Sequence, residues 1–222
     1  MRFLKKEWLQ LLILVAPFIA VALLWDKLPD QVPIHWNARG QVNNYAGKAF
    51  GTLLMPAGNV GLAALLGLLA LLDPKIKRSG PEARSNSFRV IKTLRLIITS
   101  FNACVAFALI AFALHYRFDM NRFIYICVGL LLVLVGNFMG KLRPNYFAGI
   151  RTPWTLESPT VWLKTHRLGG RMMVAGGICM TAAAFLLPPR FYLFSILFLI
   201  VIFTVPAVYS YFCYRQEHRA NP

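Results

Sequence analysis

Six long apolar runs, at 9–24, 49–72, 96–116, 123–140, 172–187 and 191–214, leave this chain few folds to choose from. A bilayer core takes about 20 apolar residues of helix to cross, and a helix satisfies its own backbone hydrogen bonds in lipid. With 58% hydrophobic side chains over 222 residues, the runs exceed what a soluble domain buries. The expected fold is an all-α integral membrane protein with six transmembrane helices. The first and fifth runs are short and need their flanks, or a locally thinner bilayer, to reach across.

The net charge of +16 fits this picture once each cation is placed. With the N-terminus inside, Lys27, Arg39, Lys48, Arg117, Arg122 and Arg190 fall outside and the other eighteen of the 24 Lys and Arg residues fall inside. The positive-inside rule therefore predicts cytoplasmic N and C termini. Anionic membrane lipids are the expected partners of the basic face. Direct nucleic-acid binding is not expected, because no binding module fits loops this short.

Enzymatic chemistry has little to work with. The chain holds eight acids, none placed mid-span, and its four histidines divide, His35 and His115 outside, His166 and His218 inside. Asp30, His35, His115 and Asp119 lack ligand spacing, and His166 with Glu157 is an isolated pair. No enzyme activity, cofactor or metal site is expected. Cys104, Cys127, Cys179 and Cys213 lie in different spans and form no disulfide or zinc pattern.

Within the first run, Ala20-Val21-Ala22 imitates a signal-peptide cleavage site, but apolar residues continue through Leu23, Leu24 and Trp25, so a retained span is expected. Trp8 and Trp25 bracket it, and Pro17 should kink it. The stretch 73–89 reads as a charged loop. Lys92 and Arg95 share a helical face and are expected to snorkel to headgroups. Asn59, Asn102 and Asn137 should hydrogen-bond between helices, Asn102 with Asn137 at similar depth. Pro188-Pro189-Arg190 reads as an abrupt external turn, and 215–222 as a short polar tail.

Two polar stretches carry more specified chemistry than connectors need. Outside, 26–48 has Pro29 and Pro33 for an extended approach, then Asn37, Gly40, Asn43, Asn44 and Gly47 for tight turns, presenting His35-Trp36-Asn37 on a folded loop. Trp36 and Tyr45 also fit a plain interfacial belt, and Asn37 a backbone-satisfying role. Inside, 141–171 holds Trp154, Trp162 and a run of basic residues. Ser158-Pro159 is a helix start and Gly169-Gly170 a stop, which predicts a short surface helix over 159–168 with Val161, Thr165 and Leu168 on one face. Pro153 makes 149–154 a non-helical strap.

The inner run Asn145, Gly149, Ile150, Arg151, Thr152, Pro153, Trp154, Thr155, Leu156, Trp162, Thr165, His166 and Arg167 closely resembles the signature of the SdpI-type immunity family. The outer His35, Trp36, Asn37, Gly40 and Lys48 resemble the same family's N-terminal module. The resemblance implies a multi-pass protein of the bacterial cytoplasmic membrane that protects its host against a secreted peptide toxin and signals by holding a cytoplasmic repressor at the membrane. It implies a two-helix module over 1–72 with the outer loop 26–48, and a four-helix module over 90–214 with the inner loop 141–171. It makes the five outer residues a candidate toxin-facing surface. Asn145, Gly149, Arg151, Thr152, Pro153, Trp154, Thr155, Trp162, Thr165, His166 and Arg167 become a candidate inner surface. On chemistry alone, Arg151 either clamps a carboxylate or phosphate or caps helix-end carbonyls, and Trp154 and Trp162 either anchor a partner or seat the loop. The alternative function is a small multi-pass transporter or channel, against which stands the lack of ionisable groups at mid-depth.

Overall fold

The structure, a computed structural model, describes residues 4–37, 39–188 and 194–220. Helix α1 (Leu4–Leu24) leads through a single 3-10 turn into a hairpin of β1 (Gln31–Trp36) and β2 (Val42–Gly47). Then come α2 (Lys48–Leu72), α3 (Pro74–Arg78), α4 (Pro81–Ala113), α5 (Met120–Met139), α6 (Pro153–Glu157), α7 (Pro159–Leu186) and α8 (Phe194–Ala220). Helices α1, α2, α4, α5, α7 and α8 are long and apolar enough to cross a membrane, as the six runs require. The external turn expected at 188–190 lies mostly outside the described residues, as do Arg2 and the start of the last run.

Three local readings are corrected. The stretch 73–89 is largely helical: Asp73 caps α3, and Pro81, tolerated at a first helical position, opens α4. At 33 residues, α4 is about 50 Å long, well beyond a hydrocarbon core of about 30 Å, so its charged first turns stand clear of the lipid. Gly169-Gly170 does not stop a surface helix, because α7 runs unbroken from Pro159 to Leu186. These glycines serve packing instead, as described below. The C-terminal tail is helical to Ala220.

Helices α1, α2 and α4 pack together, α7 packs against both α5 and α8, and α4 also packs against α5. A small cluster of Val21, Leu28, Val32, Ile110 and Ala113 closes the hairpin end of the first group. The larger core joins Leu94 of α4 to Leu132, Met139, Trp162, Met173, Met180 and Ile202. The α5–α7 interface is the most extensive, and glycine makes it possible. A Cβ on Gly136 would stand 2.8 Å from the Gly170 carbonyl oxygen, and one on Gly170 would stand 2.6 Å from the Gly136 oxygen. Backbones in direct contact of this kind are how helices associate where lipid removes the hydrophobic drive.

Polar side chains inside the first group follow the same logic. Glu7 accepts from both cations expected to snorkel, Lys92 Nζ at 2.8 Å and Arg95 Nη2 at 2.6 Å. Thr99 is a hub: its hydroxyl accepts from Gln10 Nε2 at 2.9 Å, and its carbonyl accepts from Asn59 Nδ2 at 3.0 Å. Asn102 donates to the Ile98 carbonyl of its own helix and not to Asn137, which is exposed. Because Asn59 also buries an oxygen with no hydrogen-bond partner, Asn59→Leu removes a cost along with a bond. Its stability in detergent, measured by unfolding titration, is expected to change by under about 1 kcal/mol. A loss several times larger would make Thr99 the indispensable joint of this group.

Candidate functional site

The two polar stretches fold at opposite ends of the bundle. Helix α2 links them, beginning at the hairpin and ending at Asp73 beneath the 141–156 strap, about 37 Å along its axis.

At the first end, β1 and β2 pair antiparallel from Gln31↔Gly47 to Trp36↔Val42, with an irregularity around His35. Asn37 builds the turn: its side-chain oxygen accepts from Arg39 N at 2.9 Å and Gln41 N at 3.1 Å. Gly40 follows with φ +76°, a left-handed conformation that glycine adopts at no steric cost. Asn121 at the start of α5 donates to the Asn37 carbonyl and ties the turn to the bundle. Trp36 packs edge-on against Phe112 of α4 at 5.2 Å. Lys48 donates to the Trp25 carbonyl and pairs with Asp30 at 3.6 Å. Of the five residues singled out here, His35 alone is exposed, the other four being half-buried. Its Nδ1–H donates to Asn43 Oδ1 at 2.6 Å, beside exposed Asn44 and Tyr45.

The strap at the other end is latched from three sides. Asp73, fully buried, accepts from the backbone of Lys75 and Ile76 with one oxygen and from Tyr146 N, at 2.7 Å, with the other. One carboxylate thus both caps a helix and holds the strap. Lys75 adds a hydrogen bond to the Leu156 carbonyl at 2.6 Å and a cation–π contact with Tyr146 at 4.8 Å. Asn145, buried, turns the chain by accepting from Phe147 N and Ala148 N.

The second latch is an imidazole. His166 lies stacked on Trp162, ring centroids 4.0 Å apart, and its Nδ1–H donates to the Trp162 carbonyl at 2.8 Å. Its bare Nε2 accepts from Ile150 N at 3.0 Å, so the neutral tautomer satisfies both partners. The chain approaches His166 at Gly149, where φ is +103° and an added Cβ would overlap Nε2. Trp162 in turn donates from Nε1 to the Leu142 carbonyl at 2.8 Å. The third latch is α8. Thr152 and Thr155 form a reciprocal capping box on α6, Thr155 Oγ1 donates to the Ile150 carbonyl, and Thr152 Oγ1 shares a 2.9 Å hydrogen bond with Ser210. Trp154 stacks edge-on with Tyr211, and Ser158 donates to Glu217 at 2.6 Å.

Eleven inner residues were singled out by sequence, and the structure sorts them by exposure. Asn145, Thr155, Trp162, Thr165 and His166 are buried; Gly149, Arg151, Pro153 and Arg167 are exposed; Thr152 and Trp154 are half-buried. Trp162 is 1% exposed, so its ring seats the strap and offers no surface. Arg151 donates to the loop carbonyl of Tyr146 at 2.8 Å, not to a helix end, and stays exposed beside Tyr146 and Phe147. Glu157 and His166 do not pair: Glu157 accepts from Tyr214. The strap begins to coil into α6 at Pro153, so the non-helical part ends at Thr152. Sequence reading missed Asp73 and Lys75, although Asp73-Pro74 is a helix-start pattern that a search for caps would have found. Among the described residues, no three His, Cys, Asp or Glu side chains gather as a metal site.

This arrangement defines a class: an integral membrane protein of six spanning helices, with a hairpin at one end and a self-latched strap at the other. A model of the SdpI/YfhL protein family matches residues 141–210, the strap with α7 and most of α8, and a model of a domain of unknown function, DUF1648, matches 12–60, the hairpin with its flanking helices. The chain is also 22% identical over 212 residues to Immunity protein SdpI of Bacillus subtilis (strain 168), covering 96% of this chain and 97% of that one. No solved structure matches it. It is a multi-pass bacterial membrane protein, similar to the SdpI/YfhL family through its strap and the helices that follow it.

Proposed function

We propose that this protein confers immunity: it protects the membrane in which it sits against a secreted peptide toxin. The observation that carries the reading is the end-to-end similarity to Immunity protein SdpI, which takes in both polar ends. In this reading the hairpin end faces outward, in accord with the basic character of the opposite end. Its exposed rim of His35, Asn43, Asn44 and Tyr45 meets the toxin, backed by Trp36, Asn37, Gly40 and Lys48. The strap end faces the cytoplasm, where Arg151 with Tyr146, Phe147 and Trp154 offers one guanidinium among aromatic rings, a composition typical of protein-contact hot spots. A repressor held there would couple the toxin's presence to transcription.

The test is survival of toxin-sensitive bacteria expressing the wild type, His35→Ala or Arg151→Ala at equal membrane levels. The wild type is expected to protect, His35→Ala to lose protection, and Arg151→Ala to protect while failing to signal through a transcriptional reporter. Wild-type survival equal to the empty vector removes immunity and favours a small transporter or channel.

A further inference from the structure

One turn apart on α7, Arg167 and Arg171 open onto a groove of about 520 Å³ between α5 and α7, lined also by Asn137, Gly140, Ala175 and Ile178. Gly140 makes room for the stem of Arg167, whose Cγ would stand 3.4 Å from an added Cβ. Both guanidiniums and the Asn137 amide are exposed. No carboxylate lines the groove, and among the described residues neither arginine has an acidic partner. Lys92 and Arg95 differ in this respect, since Glu7 holds them both.

The dimensions select the occupant. From Arg167 to Ile178 the groove follows α7 for about 16 Å, close to the roughly 15 Å hydrocarbon depth of one leaflet. It is cationic at the strap end and apolar toward the bilayer centre. A second copy of this chain laid on the same face would bury two guanidiniums without counter-charge, at heavy desolvation cost. A free phosphate would leave the apolar floor uncovered. We propose that this groove is a site for a single anionic phospholipid. Its phosphate lies between Arg167 and Arg171 with the Asn137 amide donating, and an acyl chain runs along Ala175 and Ile178. Guanidinium pairs suit this task because their donors match phosphate oxygens bidentately. The site stands independently of the immunity reading.

The full-length protein, purified in detergent, is titrated with phosphatidylglycerol, phosphatidylcholine or inorganic phosphate, and bound lipid and oligomeric state are read by native mass spectrometry. Retention of one phosphatidylglycerol in preference to phosphatidylcholine is expected. The double variant Arg167→Gln/Arg171→Gln should weaken it on the order of tenfold or more. Ala175→Phe, which fills the groove and spares both charges, should weaken it as well. Arg143→Gln, an exposed charge at the same end but off the groove, should not. A variant that misfolds is recognised by its elution profile, and the remaining one then decides. Equal retention of both lipids, undiminished binding in the groove variants, loss of bound lipid on adding phosphate alone, or a dimer in place of a lipid adduct each overturns the proposal.

Discussion

Asp73→Ala is expected to detach the strap from the bundle and to cost on the order of 3 kcal/mol or more. Three N–H groups lose their acceptor at once, that of Ile76 buried and those of Lys75 and Tyr146 partly so, and an orphaned donor costs about 1–3 kcal/mol when buried and less where water reaches it. The effect reaches function through position: Arg151 and Trp154 lie on the segment that Tyr146 anchors, so partner contact at the strap end should fail although neither residue is touched. The check is thiol labelling of Ala148→Cys in a background lacking the native cysteines, combined with thermal unfolding in detergent. Labelling should accelerate sharply in Asp73→Ala and only partly in Asp73→Asn, which keeps one side-chain acceptor. Unchanged labelling would mean that His166 and Thr152 hold the strap without help from Asp73.

Gly170→Val is expected to be the most damaging change in the membrane region. Its new Cβ would stand 2.6 Å from the Gly136 carbonyl oxygen and 3.1 Å from Met139 Cβ, inside the largest helix–helix interface of the molecule. Backbone cannot swing aside as a side chain can, so the helices must part, and overpacking of this kind costs about 1–3 kcal/mol or more. The lost contacts along the rest of the crossing add to that. The comparison that isolates the cause is Gly58→Val in α2, where nothing stands within 4 Å of an added Cβ. Gly58→Val should leave the unfolding temperature nearly unchanged while Gly170→Val lowers it strongly. Equal losses would trace the damage to glycine replacement as such and not to the crossing.

His166 shows how the legible and the illegible meet in one residue. Its place beside Trp162 on a helix begun by Ser158 follows from sequence, since capping and periodicity are local matters. Its acceptor role toward Ile150 does not, because it depends on a left-handed turn at Gly149 that brings the strap back over α7. The glycine pair 169–170 misled for a related reason. Glycine marks helix ends when seen alone, and marks helix crossings when another backbone lies against it; sequence does not say whether one does. Lys92 and Arg95 repeat the lesson, since their faces were legible but Glu7, 85 and 88 positions away, was not.

By itself the sequence determined the number of membrane crossings, the uneven distribution of cations between the two ends, and the two places where polar chemistry is concentrated. All three depend on hydrophobic run length and local turn chemistry, which act over a few residues. The tertiary structure alone decided which of the strap's side chains are inside the protein and which face out, and that Asp73 and Ser210 hold it there. Those outcomes require groups about 60 to 70 positions apart to meet at 3 Å, and only the packing of α2, α7 and α8 brings them that close.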